Sequence, residues 1–166
     1  MDQTDDHLGP RRIGIYAAPG FALMSYAATV EPFRAANLLA GRPLYELINF
    51  GSGPAPVRSS GPAMVMAEAR VGELRPLDYL FVIAGGDPAL FDDTSALAWL
   101  RRMARAGVTM GGVSGGPVIL AKAGLMTARR MTVHWEHAAA LAEMDPVHRH
   151  SACSQDRKST RLNSSH

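Results

Sequence analysis

Short apolar runs alternate along this chain with longer segments in which apolar residues recur at helical spacing. The runs predict strands at Arg12–Ala17, Tyr45–Phe50, Asp78–Ala84 and Val108–Val113. The helical spacing predicts helices over Leu23–Leu39 and Ala96–Ala106. Strands that alternate with helices through short connections predict a parallel sheet covered by helices on both faces.

Three further signals refine this outline. Pro32 interrupts the first helical segment, so we expect either a kink there or a helix that starts near Val30. Residues 57–66 predict a hairpin. Later in the chain, Met131–Val133 predicts a short strand and Trp135–Met144 predicts a helix.

The net charge of +2 does not describe the body of the chain. Three of the seventeen basic residues and one of the fifteen acidic residues lie in Asp156–His166, which leaves fourteen of each sign in residues 1–155. We see no clustered basic face that would bind nucleic-acid phosphates.

The sequence shows no sign of export or of a membrane span. The first residues are polar and acidic, and no apolar run approaches the roughly 18 residues that a span requires. Cys153 is the only cysteine, which excludes an internal disulfide framework and fits a reducing compartment. We therefore expect one cytoplasmic domain.

The segment Gly112-Val113-Ser114-Gly115-Gly116 joins the fourth predicted strand to a helix that begins near Pro117. A strand, a sharp turn and a helix are the context of a nucleophile elbow, which lifts one side chain out of the sheet beside backbone N–H groups. Small flanking residues let the chain turn tightly. Ser114 is therefore the first candidate functional residue, although an ordinary tight turn with a small residue gives the same pattern.

A G-x-S-x-G elbow first suggests a serine hydrolase, in which an acid and then a histidine follow the nucleophile. Between Ser114 and His134 the chain contains neither Asp nor Glu. A serine hydroxyl needs a positioned general base, and His134, at the end of a predicted strand, is the available one. His134 is equally consistent with a ligand contact or with a hydrogen-bonded structural histidine.

Two other segments have both a functional and a structural interpretation. Gly85-Gly86-Asp87-Pro88 offers bare N–H groups to an anion, or it is a loop in which Asp87 caps the next helix. Glu31 is either a hydrogen-bonding partner for a ligand or nucleophile, or a solvated carboxylate. His134 and His137 lack a third ligand of matching spacing, so we expect no metal.

Several stretches carry a resemblance to a known family. They are Ile13–Tyr16, Pro19–Phe21, Val30–Asn37, Tyr45–Leu47, Ser60-Gly61, Asp78–Gly86, Gly112–Gly116 and Thr132–Ala138. Together they resemble the ThiJ/PfpI group of the class I glutamine amidotransferase-like superfamily. The sequence is most similar to the sensory domain of GlxA-type transcriptional regulators of the AraC family.

The resemblance implies an α/β fold, a flavodoxin-like three-layer αβα sandwich with a mostly parallel sheet, which often dimerises. In the enzymatic relatives a cysteine stands at the position of Ser114, activated by an acid from the first helix region and often by a neighbouring histidine. Here Gly115 follows Ser114, and Ser25 stands at the acidic position, with Glu31 as a later substitute. A thiol with a pKa of about 8.5 ionises readily at a helix N-terminus, whereas a hydroxyl does not. The elbow is therefore expected to have lost its nucleophile.

We expect three segments in this chain. Residues 1–10 are predicted to be a disordered leader, residues 11–147 an incomplete sensory domain, and residues 148–166 a non-native or disordered tail, within which Asp156–His166 looks like foreign adapter sequence. In the family, the sensory domain continues past the His134 helix, and the regulators add a pair of DNA-binding helix-turn-helix units. Neither fits here, so we expect a truncated chain whose C-terminal part is missing.

These expectations favour the ligand-sensing domain of a transcriptional regulator, with no cofactor and no metal. A small-molecule effector is expected to contact five residues: Ser114, Gly115, Gly116, Gly86 and His134. The full-length protein is expected to be a homodimer that binds DNA only through the missing module and has no membrane partner.

The alternative is a stand-alone ThiJ/PfpI-like hydrolase or deglycase with Ser114, His134 and Glu31 as its catalytic residues. We favour the absence of enzymatic activity because Ser114 occupies the position of the catalytic cysteine. A third hypothesis is that the chain lacks a complete fold and has no independent function.

Overall fold

A five-stranded parallel sheet forms the centre of the computed structural model, which describes residues 9–127, 131–133 and 150–152. In chain order the elements are β1 (Arg11–Ala17), α1 (Leu23–Ala40), β2 (Tyr45–Gly51), β3 (Val57–Arg58), β4 (Met64–Val65), β5 (Ala69–Arg70), β6 (Tyr79–Ala84), a 3₁₀ turn (Pro88–Leu90), α2 (Thr94–Arg105), β7 (Thr109–Ser114), α3 (Gly116–Lys122), β8 (Met131–Val133) and β9 (His150–Ala152). The sheet order is β5-β2-β1-β6-β7, with every neighbouring pair parallel. An antiparallel hairpin forms from β3 and β4, and β8 pairs in parallel with β9.

The predicted alternation of strands and helices around a parallel sheet is confirmed. Each strand and helix predicted within residues 9–127 lies within two residues of its predicted bounds, and the predicted hairpin is present. The sequence did not predict β5 or the 3₁₀ turn, because two or three residues are too few to show a period. The predicted helix Trp135–Met144 lies outside the described residues, and β9 falls within the segment predicted as a tail.

One continuous helix, α1, contains Pro32, so of the two expected alternatives the start near Val30 is wrong. A proline inside a helix removes one backbone hydrogen bond and crowds the preceding turn, at a cost of about 3 kcal/mol. The packing of Tyr26, Val30 and Phe33 against the sheet offsets this cost. Tertiary contacts therefore override the local signal.

The connection from α1 to β2 is held by one amide side chain. Asn37 Oδ1 accepts hydrogen bonds from the N–H groups of Leu44 and Tyr45, at 2.8 and 2.9 Å, while Asn37 Nδ2 donates to Tyr45 O at 2.8 Å. The helix ends at Gly41, whose left-handed φ of 64° lets its N–H bond Leu38 O. These bonds fix where β2 begins.

Two apolar cores lie on opposite faces of the sheet, as the alternation of side chains along a strand requires. Ile13 and Ile15 of β1 point to the face that α1 covers, whereas Tyr16 points to the face that α2 and α3 cover. Trp99 of α2 is completely buried and packs edge-to-face on Tyr16, with ring centroids 5.8 Å apart. The described elements thus form three layers.

The close approach of α3 to β6 depends on Gly116. A Cβ atom added to this glycine would lie 1.9 Å from the carbonyl oxygen of Val82. The neighbouring atom belongs to backbone in the middle of the sheet, so it cannot move aside. A glycine at the first position of α3 therefore lets the helix lie directly on β6.

A hydrogen-bonded chain of side chains ties α2 to the sheet. Asp93 accepts bonds from the Ala96 N–H at 2.9 Å and from the hydroxyls of Ser95 and Ser52 at 2.5 and 2.9 Å. Ser52 Oγ lies 3.2 Å from the hydroxyl of Tyr16, and burial raises the pKa of Tyr16 to about 12. Burial alone would raise the pKa of Asp93, but these hydrogen bonds outweigh it and hold that pKa below its usual value.

Within the described ranges, no helix combines the length and the hydropathy needed to cross a bilayer.

We expect Gly116→Ala to destabilise the fold by about 3 kcal/mol or more, because the new methyl group meets the Val82 carbonyl. Gly53→Ala is the matched control, since a Cβ atom there meets nothing within 4 Å. Urea unfolding followed by circular dichroism measures both free energies of unfolding. Equal stabilities for the two variants would contradict the close approach.

The low pKa of Asp93 predicts a pH-dependent effect of Asp93→Asn. The folded-state pKa lies below the unfolded value of about 3.9, so the carboxylate stabilises the fold above that pH, and this contribution is lost as the pH falls through the folded pKa. Asparagine still caps a helix, so we expect a loss of roughly 0.5–1 kcal/mol at pH 7 that shrinks as the pH falls below about 3.9. Thermal unfolding across this pH range measures it. Asp92→Asn is the control, and a loss independent of pH would count against the charge.

Candidate functional site

The carboxyl ends of β1, β6 and β7 meet at one edge of the sheet. β2 lies on one side of β1 and β6 on the other, so the direction in which strands are added reverses between β1 and β6. Open α/β sheets bind ligands in the crevice at such a reversal, outside the carboxyl ends of the strands. Residues 18–22 after β1 and residues 85–87 after β6 border this crevice.

The two bordering loops meet through their backbones. The N–H of Ala18 donates to Ile83 O at 2.8 Å. A Cβ atom on Gly85 would lie 2.8 Å from both Ala22 N and Gly20 O, so only glycine fits there. Gly86 follows with an exposed backbone and a left-handed φ of 61°. Gly85 thus lets the two loops pack closely, and Gly86 leaves its backbone exposed.

Ser114 ends β7 in a conformation that L-residues avoid. Its φ is 57°, and no other non-glycine residue among those described has a positive φ. This conformation costs roughly 1–2 kcal/mol, and such strain concentrates at functional sites. The predicted strand, turn and helix around Ser114 are present, and its side chain is half-buried.

The glycines on either side of Ser114 are required by packing. A Cβ atom on Gly115 would lie 2.9 Å from Cγ of Pro88, and one on Gly112 would lie 2.6 Å from Pro117 N. The 3₁₀ turn therefore sits directly against the elbow. A larger residue at either position would push away the turn or the helix that holds Ser114 in place.

A long-range contact from Lys122 also holds this turn. Lys122, in the last turn of α3, donates from Nζ to Ala89 O at 2.5 Å. The bond connects the far end of the elbow helix to the turn that packs on Gly115. This contact could not be predicted, because no local pattern in the sequence relates Lys122 to a carbonyl 33 positions earlier.

Two of the five predicted ligand-binding residues are packed inside the elbow. Gly115 and Gly116 are both buried, and the Gly115 N–H already donates to Ala84 O at 3.1 Å. An N–H that donates to Ala84 O is not free to donate to a ligand at the same time. Ser114 and Gly86 remain accessible at the same edge, while His134 lies outside the described residues.

The predicted acidic partner of Ser114 is engaged elsewhere. Glu31 is exposed on α1, where its carboxylate accepts a hydrogen bond from Arg34 Nε at 2.7 Å. Ser25, at the family's acidic position, accepts a bond from the Thr29 hydroxyl through its backbone carbonyl at 2.7 Å. In the part of the chain that the structure describes, the Ser114 hydroxyl has no hydrogen-bonding partner. The described residues thus supply neither a base nor an acid to the elbow.

The loop after β6 contains a residue with a structural explanation. Asp87 accepts a hydrogen bond from the Ala89 N–H at 3.0 Å, so it caps the 3₁₀ turn as the structural interpretation of this loop predicts. Among the described residues, no three His, Cys, Asp or Glu side chains come together in a way that would hold a metal ion.

The chain matches the model of a known protein family. The model of the DJ-1/PfpI family matches residues 11–157, from the first residue of β1 through β9. The match includes the elbow and both loops of the crevice.

The chain is also similar to bacterial transcriptional regulators. It is 46% identical over 147 residues to the HTH-type transcriptional regulator GlxA of Rhizobium meliloti (strain 1021), covering 88% of this chain and 45% of that one. It is 38% identical over 128 residues to the HTH-type transcriptional regulator CdhR of Pseudomonas aeruginosa, covering 77% and 38% respectively. The chain thus spans less than half the length of these curated relatives.

A solved structure shares the architecture. The crystal structure of an AraC family transcriptional regulator from Pseudomonas putida matches with a TM-score of 0.74 at 23% sequence identity, covering 86% of this chain and 76% of that one. The predicted flavodoxin-like α/β fold and the resemblance to GlxA-type regulators are therefore confirmed. The chain belongs to the DJ-1/PfpI family.

Proposed function

We propose that this chain is the ligand-sensing domain of a GlxA-type transcriptional regulator. The observation that carries the proposal is a strained elbow whose serine hydroxyl has no hydrogen-bonding partner among the described residues. Strain is kept where a function requires it, and an unactivated hydroxyl is suited to binding rather than to nucleophilic attack. The 46% identity to a regulator supports the same conclusion.

The ligand in this proposal is a small polar molecule in the crevice between β1 and β6. The Ser114 hydroxyl offers one donor and one acceptor, and the backbone of Gly86 is exposed nearby at the same edge. His134 is proposed as a further contact from the segment after β8. An effector bound between the loops after β1 and β6 and the Ser114 elbow could alter how these three segments pack.

The proposal extends to the whole regulator. The GlxA relative is more than twice as long as the matched region, and we propose that a DNA-binding helix-turn-helix module lies in the additional length. Within the described ranges a strand separates each helix from the next, so none of them forms such a unit. We propose a cytoplasmic homodimer for the complete protein.

The positive φ of Ser114 also favours a second candidate, a stand-alone hydrolase or deglycase. A nucleophile elbow has this backbone conformation, but an active serine needs a base held within hydrogen-bonding distance. In this candidate the base is His134.

We expect ligand binding without turnover. Small amines, amino acids and carboxylates are screened by thermal shift, and compounds that stabilise the chain are titrated by calorimetry. Ser114→Ala should weaken binding about 3- to 10-fold, the effect of one lost hydrogen bond. Ser60→Ala, at an exposed serine, should leave the affinity unchanged.

The same proteins are assayed with glyoxal and with amide substrates, and we expect no product above background. Turnover by the wild-type chain that Ser114→Ala abolishes would establish the enzymatic candidate and contradict the sensor. A chain that binds none of the compounds screened would also count against the sensor.

We expect Ser114→Gly to raise the free energy of unfolding by up to about 1 kcal/mol, because glycine relieves the left-handed strain and the hydroxyl makes no internal hydrogen bond among the described residues. Chemical denaturation measures the change, and Ser60→Gly serves as the control. A marked loss of stability in Ser114→Gly would mean that the serine stabilises the fold, which would remove the argument for a functional residue.

A further inference from the structure

The outward face of α2 carries a concentrated positive charge. The charged residues of the helix are Arg101, Arg102 and Arg105, and all three are exposed. We name these three residues the α2 face. Residues 1–155 hold fourteen basic and fourteen acidic residues, so the α2 face is a local excess on a chain body that is neutral as a whole. A count of charges along the sequence therefore does not reveal it.

Carboxylates pair with arginines elsewhere on the described surface but not on the α2 face. Ion pairs at 2.7–3.1 Å engage Arg11, Arg12, Arg34 and Arg75. By contrast, Arg102 donates to the backbone carbonyl of Gly72 at 3.3 Å, and Arg105 donates to that of Arg101 at 3.3 Å. Among the described residues, no carboxylate forms an ion pair with the α2 face.

A neighbouring segment places one carboxylate beside α2, and that group is already engaged. The indole N–H of Trp99 donates to the backbone carbonyl of Glu73 at 2.8 Å, so this segment lies along the helix. The Glu73 carboxylate accepts a hydrogen bond from Arg75 Nε at 3.0 Å. Glu73 and Arg75 thus cancel each other, and the α2 face keeps its three positive charges.

Helix stability alone does not explain these charges. Cations in the last turn interact favourably with the helix dipole, which accounts for Arg102 and Arg105. Arg101 lies four residues before Arg105, where a like charge destabilises a helix and a glutamate would stabilise it. The helix thus keeps a repulsive pair at a position that suits an attractive one, which indicates a use for the positive face.

The α2 face lies at the end of the sheet opposite the crevice. Because α2 follows β6 and precedes the parallel strand β7, it begins near the carboxyl edge of the sheet and ends near the amino edge. The three arginines are in the second half of the helix. A ligand in the crevice and a partner on the α2 face therefore occupy separate surfaces.

The phosphate backbone of DNA fits this face in charge and in chemistry. An arginine guanidinium presents planar N–H groups that bind phosphate oxygens in pairs. Arginines that have no carboxylate partner bind phosphate without first breaking an ion pair. Arg101 and Arg105 stand about 6 Å apart along the helix axis, which is close to two phosphate steps of roughly 3.4 Å along one DNA strand.

We propose that the α2 face binds the phosphate backbone of DNA through Arg101, Arg102 and Arg105. This inference rests on the proposed function, in which a separate helix-turn-helix module holds DNA close to this domain. Phosphate contacts carry no sequence information, so the module supplies the specificity and α2 adds affinity. A weak site is sufficient, because a tethered partner is present at an effective concentration on the order of 1 mM.

Fluorescence anisotropy with a labelled DNA duplex tests the proposal in the full chain. Three phosphate contacts should give a slope of log K against log salt of about −2.7. Arg101→Glu should weaken binding at least about 10-fold at about 50 mM salt, and equally for duplexes of unrelated sequence. Arg101→Lys should keep most of the affinity, because a lysine still neutralises a phosphate. A wild-type chain that leaves the duplex unbound at about 50 mM salt would overturn the proposal.

Two control variants make the same change in net charge elsewhere. Arg58 is exposed on the β3–β4 hairpin, and Arg161 lies in the basic stretch that ends the sequence. Arg58→Glu and Arg161→Glu should each weaken binding less than about 3-fold, because salt screens charges that do not contact the phosphates. An effect at either position as large as that of Arg101→Glu would refute the α2 face. Circular dichroism confirms that each variant is folded.

Two further measurements separate this inference from its alternatives. Polyglutamate that binds the chain more tightly than the duplex would assign the α2 face to an acidic protein segment and overturn the DNA proposal. The thermal-shift screen tests the sensor independently. A chain that binds a small ligand but no DNA contradicts only the α2 face, whereas a chain that binds DNA through the α2 face but no ligand supports this inference and contradicts only the sensor.

Discussion

The carboxyl edge of the sheet depends on one backbone approach, in which α3 lies against β6 with no side chain between Gly116 and the Val82 carbonyl. Because β7 ends at Ser114 and α3 begins at Gly116, the chain turns from the strand onto β6 over Ser114 and Gly115. The φ of 57° at Ser114 follows from this turn. The 3₁₀ turn then packs on Gly115, and the bond from Lys122 holds it in place. The crevice is shaped by these contacts rather than by any residue that lines it.

This arrangement separates the geometry of the elbow from its chemistry. The strain at Ser114 costs about 1–2 kcal/mol, and the burial of Val118, Ile119 and Leu120 in α3 offsets it. The geometry thus persists whichever small residue occupies the elbow. Nucleophilic attack, however, needs a group that ionises or a base beside it. The described residues provide a hydroxyl without either, which is why the site is proposed to bind a ligand and not to cleave one.

Much of the fold could be predicted because its signals are local. The period of apolar residues set the strands and helices, and the glycines around Ser114 indicated the elbow. Contacts between distant residues left no such signal. The cap that Asp93 provides extends through Ser52 to Tyr16, and Asn37 reaches across a loop to β2. The sequence left Glu31 open as either a site residue or a solvated carboxylate, and only the folded α1 shows its carboxylate exposed beside Arg34.

The sequence by itself determined the α/β alternation, the parallel sheet and the position of a small residue on a sharp turn, because each follows from periodicity or from glycine within a few residues. Only the tertiary structure decided that α1 passes through Pro32, that the Gly115 N–H donates to Ala84 O, and that the Glu31 carboxylate pairs with Arg34. It also decided that Met24, Leu38 and Leu39 of α1 are exposed among the described residues. These outcomes depend on which surfaces the folded chain brings together. Hydrophobic burial, summed over the whole molecule, decides which surfaces those are.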